Sequence, residues 1–283
     1  MSEPFTVAMV QTTTGRDPAA EVPAACAQVV RARDRGAHMV MLPETCNMME
    51  PDRPAARAKA HLMDADPGLE LFRRTAADAG VWLLVGSMVV WADETRERLA
   101  NRSVLIDDAG AIVATYDKMH MFDVDLGSGE VYRESEAYRP GERAVLAETP
   151  WGRLGMTVCY DLRFPALYRR LALAGADFLT VPSAFTRPTG EAHWDVLLRA
   201  RAIETGCWVL APAQTGEHDG GRRTYGHSLA VDPWGTVVAD GGTAPGVVMV
   251  RVSPAAVAEA RRRMPSLRHD RPFPENAGLE NAG

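Results

Sequence analysis

Three short apolar runs each end on a side chain that can carry chemistry. Gly155-Met-Thr-Val-Cys159-Tyr-Asp-Leu-Arg163-Phe-Pro165 delivers a thiol, Val40-Met-Leu-Pro-Glu44 a carboxylate, and Ile112-Val-Ala-Thr-Tyr-Asp-Lys118 an amine. The C-terminal ends of strands are where α/β sheets place their reactive groups. Pro165 is suited to open a helix, so Cys159 reads as sitting on a strand-to-helix turn. There it is expected to face solvent and the positive end of a helix dipole, both of which favour thiolate. A free cysteine is as often a small buried hydrophobe, and Glu44 or Lys118 alone reads as a solvated loop charge. Those readings explain each residue separately but not the threefold pattern.

The rest of the chain bounds the answer. With 283 residues, 46% of them hydrophobic, it can bury about 75% of its unfolded surface in one large core. No linker or low-complexity stretch divides it, so one domain is expected over 1–283, with a core at about 5–253 and a C-terminal helix and tail at 254–283. A formal charge of −6 argues against nucleic-acid binding. The basic run Arg261-Arg-Arg263 closes an expected helix, where cations suit the dipole. The first residues lack a positive segment followed by an apolar one, and the longest apolar stretch, 81–92, is too short to span a bilayer. Neither secretion nor a membrane partner is expected. The four cysteines (26, 46, 159 and 207) have no zinc or redox spacing, so reduced thiols in a cytoplasm are the natural reading.

Strands are expected over 6–10, 37–42, 81–90, 101–107, 111–117, 144–148, 154–159, 177–181, 207–213, 227–232, 236–239 and 247–252. Helices are expected over 19–35, 69–79, 165–174, 191–205 and 254–263. Alternating β and α units with inserted hairpins imply mixed sheets covered by helices. The segments 39–44 and 178–185 echo each other, each running from a strand into a proline-containing loop.

Leu-Pro-Glu44, Tyr-Asp-Lys118 and Val-Cys159-Tyr-Asp-Leu-Arg-Phe-Pro together resemble the carbon–nitrogen hydrolase (nitrilase) superfamily in order, spacing and context, from Val7 to about His269. The resemblance implies an α/β fold, an α-β-β-α sandwich of two mixed sheets covered by helices, associating as a homodimer or higher homo-oligomer. It implies a Glu–Lys–Cys triad with no cofactor and no metal. Cys159 is then the nucleophile, Glu44 the general base and Lys118 the oxyanion stabiliser together with the Tyr160 backbone N–H. Glu134, sixteen residues after Lys118, matches a supporting second glutamate. The histidines include no pair at zinc spacing, which disfavours a metallo-amidase. Gly226-His-Ser228-Leu-Ala230 imitates a serine elbow but lacks its final glycine.

The substrate is expected to be a small anionic amide. Arg163, four residues past the nucleophile, suits bidentate recognition of a carboxylate; its alternative is a salt bridge to Asp161 or Glu134. The loop 182–194 resembles that of amidases acting on α-keto acid amides and carries Phe185 and Thr189 toward the pocket. Thr224-Tyr-Gly-His-Ser228 with Val231-Asp-Pro-Trp-Gly235 looks most like the deaminated-glutathione amidases. Activity as an ω-amidase on α-ketoglutaramate, as an N-carbamoyl hydrolase or nitrilase, or a non-catalytic binding role are the alternatives. Arg187-Pro188 departs from the smaller or uncharged residues usual in that loop.

Overall fold

Alternation of period two runs through the first strands and buries both of their faces. In β1 (Phe5–Gln11), Val7 and Met9 enter one apolar cluster while Ala8 and Val10 enter another. In β2 (Met39–Met41) and β3 (Trp82–Trp91) the same division sends Met39, Met41 and Leu84 one way and Val40, Leu83 and Val85 the other. A sheet buried on both faces needs a layer on each. On the outer side that layer is α1 (Pro18–Asp34) packed on α3 (Pro67–Ala79). Asp17 and Asp66 cap these helices by accepting backbone N–H groups.

The computed structural model describes residues 3–127, 131–269 and 271. The first sheet runs β16-β1-β2-β3-β4-β5, adding β4 (Leu99–Ile106), β5 (Ile112–Asp117) and β16 (Gly246–Val252). The second runs β15-β14-β11-β10-β9-β8. Its strands are β8 (Val145–Thr149), β9 (Gly152–Met156), β10 (Phe178–Thr180), β11 (Trp208–Ala211), β14 (Leu229–Val231) and β15 (Val237–Asp240). Helices α4 (Pro165–Leu173) and α5 (Arg187–Thr205) cover it. One cluster spans the inner faces of both sheets, with Phe5 against Phe178 across the divide. The layers are α-β-β-α, as the family resemblance implied.

The two sheets repeat one pattern. Read from β16 in one and β8 in the other, neighbouring strands pair antiparallel, parallel, parallel, antiparallel and antiparallel. Under this correspondence β2 matches β10, and β1 matches β9. Leu42-Pro43 then matches Val181-Pro182, and the backbone agrees: Leu42 N–H donates to Leu84, and Val181 N–H to Leu210.

Several elements depart from the expectation. The strand expected to reach Cys159 stops at Met156, and Cys159 opens a 3₁₀ turn, Cys159–Arg163. Helix α5 starts at Arg187, because Pro188 falls where a helix tolerates a missing N–H. Three elements occupy stretches for which no helix or strand was expected: α2 (Arg53–Lys59), the hairpin of β6 (Asp123–Asp125) with β7 (Val131–Arg133), and that of β12 (Thr215–Glu217) with β13 (Arg223–Tyr225). Helix α6 (Pro254–Arg263) is where it was expected, and the tail over 272–283 lies outside the described residues. No described helix is long and apolar enough to cross a membrane.

Candidate active site

Glu44 is placed by a close backbone approach. Ser87 N–H donates to Pro43, while Ser87 receives Thr45 N–H on its hydroxyl (2.8 Å) and Cys46 N–H on its carbonyl (3.0 Å). Gly86 makes this possible, since a Cβ there would stand 1.9 Å from the Leu42 carbonyl oxygen. Lys118 follows β5 directly. Cys159 takes φ 49°, a left-handed conformation that strains any residue with a Cβ. Its N–H donates to Pro182 in the matching loop (3.0 Å). Asp161, fully buried, accepts from Val158 N–H (2.8 Å), the Tyr116 hydroxyl (2.7 Å) and His120 N–H (3.1 Å). The turn carrying Cys159 is thereby tied to the strand end carrying Lys118.

The three reactive groups meet. Glu44 Oε1 accepts from Lys118 Nζ (3.1 Å) and Asn101 Nδ2 (2.8 Å), and Oε2 from the Ala184 N–H (2.8 Å). The Cys159 thiol lies beside this carboxylate, whose charge acts on it. Lys118 Nζ lies 3.0 and 2.9 Å from the two oxygens of Glu134, which further accepts Phe122 N–H at 2.6 Å and Asn101 Nδ2 at 3.3 Å. Relative exposures of 4%, 2% and 6% for Glu44, Lys118 and Cys159 place the cluster out of bulk water.

Burial alone would raise the Glu44 pKa, but the Lys118 charge, the Cys159 thiol, Arg222 and Asn101 bring it below the usual carboxylate value. Burial pulls Lys118 down, and Glu134, Glu44 and Cys159 together carry it well above an ordinary lysine. Cys159 goes the other way. Burial, then the Glu44 charge, push its thiol far up. The expectation of a solvent-facing thiolate is therefore corrected: the Cys159 thiol is held neutral beside the Glu44 carboxylate, because the short 3₁₀ turn offers less than a shielded site next to a carboxylate takes away.

Cys159, Glu44 and Lys118 lie on the wall of a cavity of about 520 Å³, with Glu134, Tyr138 and Arg222 among the other lining residues. A small enclosure beside the thiol is bounded by Tyr160, Phe185, Thr189 and Arg222. Tyr160, Phe185 and Thr189 thus come to the site, and the Tyr160 N–H, at the start of the turn, has no acceptor within it. Arg163 does not line either space. Its guanidinium faces His193 Nδ1 at 3.3 and 3.4 Å and lies over the Tyr160 and Phe185 rings at 5.8 and 5.6 Å. A 3₁₀ turn has three residues per turn, so a side chain four residues on points about 120° away from that of Cys159. The salt bridge to Asp161 or Glu134 does not form either.

Two functional candidates escaped the sequence reading. Asn101 bridges both glutamates from the middle of β4, with no spacing signal to mark it. Arg222 comes from the turn between β12 and β13; the Asp219-Gly-Gly221 run was the one available sign of that hairpin.

The carbon–nitrogen hydrolase family model matches residues 6–262. The chain is 42% identical over 270 residues to a deaminated glutathione amidase of Yersinia enterocolitica, covering 94% of this chain and 92% of that one. Among solved structures, the C. elegans NitFhit protein aligns with a TM-score of 0.87 at 35% identity, covering 95% of this chain and 66% of its own. A mutant amidase from Nesterenkonia sp. AN1, with acrylamide added to its active-site cysteine, aligns with a TM-score of 0.77 at 25% identity, covering 92% and 97%.

Proposed function

The chain belongs to the carbon–nitrogen hydrolase family and is a hydrolase of carbon–nitrogen bonds other than peptide bonds, and on that premise we propose that it cleaves the amide of deaminated glutathione through a thioester on Cys159. The observation that carries this reading is the shared Glu44 carboxylate, which accepts from the Lys118 ammonium and the Ala184 N–H and lies beside the Cys159 thiol in one buried cluster.

Cys159 attacks the amide carbon as Glu44 takes the thiol proton, so a neutral thiol needs no prior ionisation. The carbonyl oxygen becomes an oxyanion stabilised by Lys118 and the Tyr160 N–H. Lys118 points its protons at three carboxylate oxygens; the paired contacts to Glu134 let one proton turn to the oxyanion while the ion pair is kept. When the carbon–nitrogen bond breaks, Glu44 passes its proton to the departing amine, cysteinylglycine. Glu44 then removes a proton from water as water attacks the thioester, and returns it to the sulfur. The chain acts as one domain, since the reactive groups come from both sheets. All four cysteines are unpaired, which supports a reducing, cytoplasmic compartment. Val196 and Ile203 on α5, with Trp234, are large exposed apolar side chains and support association of copies through the outer helices.

A panel of deaminated glutathione, α-ketoglutaramate, a carbamoyl amino acid and a plain nitrile tests the reading. The highest kcat/KM is expected for deaminated glutathione, with release of cysteinylglycine. A higher value for α-ketoglutaramate makes the enzyme an ω-amidase, and preference for the nitrile or carbamoyl compound overturns the keto-acid assignment.

A further inference from the structure

Tyr138 is fixed by its backbone and left free at its hydroxyl. Its N–H donates to the Glu134 carbonyl at 3.0 Å, and it bridges in parallel to Leu99 at the start of β4. There Leu99 N–H donates to Ala137 and Arg139 N–H to Leu99. The side chain packs on the apolar group that includes Met48, Ala56 and Leu99. It is half-buried and lines the large cavity, and its hydroxyl makes no hydrogen bond among the described residues. Burial, then the Glu134 charge, hold the phenol above its ordinary pKa against the pull of Lys118. It is therefore neutral at working pH and able both to donate and to accept.

The two spaces at Cys159 differ in what they can hold. Tyr160, Phe185 and Thr189 bound the small enclosure, which measures about 10 Å³ and has neither Glu44 nor Lys118 on its wall. Glu44, Lys118, Glu134 and Tyr138 all line the large cavity. A departing amine must meet Glu44 to take its proton, so it lies in the large cavity. Ammonia is close to water in size, and a water's share of liquid volume is about 30 Å³. The cavity measures about 520 Å³. Met49, Ala56 and Leu99 give it an apolar wall on the same side as the phenol. Such a wall with one uncommitted polar group suits an amine that carries a carbon body and a peptide group.

We propose that the Met49–Leu99–Tyr138 side of the large cavity is the subsite for the leaving amine, built for a peptidyl amine rather than ammonia, with the Tyr138 hydroxyl bonded to the peptide group that follows the scissile bond. The inference rests on the amidase reading and names its leaving-group class. Tyr138 holds the amine while Glu44 protonates it, so its effect falls on substrates that bring a peptide group to hold.

The test varies the leaving amine on one α-ketoglutaramyl acyl group: ammonia, methylamine, cysteine and cysteinylglycine. Wild-type kcat/KM is expected to be highest for cysteinylglycine. Tyr138→Phe, which keeps the ring and its packing, should lower kcat/KM for that amide by about three- to tenfold, the worth of one neutral hydrogen bond, and leave the ammonia and methylamine amides within about twofold. Calorimetry of cysteinylglycine with the Cys159→Ala protein, with and without Tyr138→Phe, reads the subsite without turnover and should show a similar weakening. Equal loss across the series, no loss on any amide, or cysteinylglycine binding that Tyr138→Phe leaves unchanged overturns the proposal. A wild type that prefers the ammonia amide also overturns it. If no keto-acid amide is cleaved yet cysteinylglycine binds in a Tyr138-dependent way, the substrate reading falls and the subsite stands.

Discussion

Replacing Glu134 with glutamine removes a charge while keeping the shape, and the surroundings make that substitution severe. Three donors converge on this carboxylate: Lys118 Nζ, Phe122 N–H and Asn101 Nδ2. Glutamine keeps one acceptor oxygen and turns an NH₂ toward the remaining donors, so at least one donor loses its partner. That loss costs about 1–3 kcal/mol, which should appear as a Tm lower by a few degrees. The kinetic effect is larger. At 2.9 Å the Glu134–Lys118 attraction is about 6 kcal/mol for an effective dielectric near 20. Without it the ammonium settles onto Glu44 alone. The proposed general base then becomes weaker, and the oxyanion loses a positioned donor, a change worth about 10²–10³ in rate. Steady-state kinetics should therefore show kcat down by about that factor with KM nearly unchanged. A Glu134→Gln enzyme with kcat within about threefold of wild type, measured where it is fully folded, would refute the argument that Glu134 holds Lys118 in its working position.

Two further outcomes follow from the same geometry. Glu44 titrates below its ordinary 4.5 and Cys159 above its ordinary 9.0, so kcat/KM should be flat between those values; an inflection near pH 7 would restore the thiolate model. The depressed Glu44 pKa also means that the unfolded state binds more protons in acid, so its contribution to stability is full above about pH 4.5 and fades as pH falls through the folded value. Gly86→Ala should lower the Tm and kcat together, since its Cβ meets the Leu42 and Pro43 carbonyls at 1.9 and 2.5 Å; thermal melts unchanged from wild type would show that the Glu44 loop can move aside.

The sequence exposed those parts of the site in which local pattern and position coincide. Glu44, Lys118 and Cys159 each close an apolar run, and the sheets bring those ends together. The pairing of segments 39–44 and 178–185 was legible for the same reason, because each is a strand followed by a proline loop. Arg163 stands off the two spaces beside Cys159 because separation along the chain says nothing about direction around a 3₁₀ turn. Arg222 was overlooked because its hairpin has three-residue strands, too short for alternation to register. Asn101 sits in a strand that reads as ordinary core, and its polarity gains meaning only when two glutamates from other elements arrive beside it. The thiol's protonation state depends on burial and on a carboxylate 115 residues away in sequence, so it could not be read from the local motif.

Rapid-quench mass spectrometry of the enzyme turning over deaminated glutathione looks directly for the covalent intermediate on Cys159. A transient adduct of the keto-acyl group is expected, mapped to the peptide bearing Cys159 and absent from Cys159→Ala, which should be inactive. Turnover without such an adduct, an adduct on Cys46 instead, or appreciable activity in Cys159→Ala would contradict it.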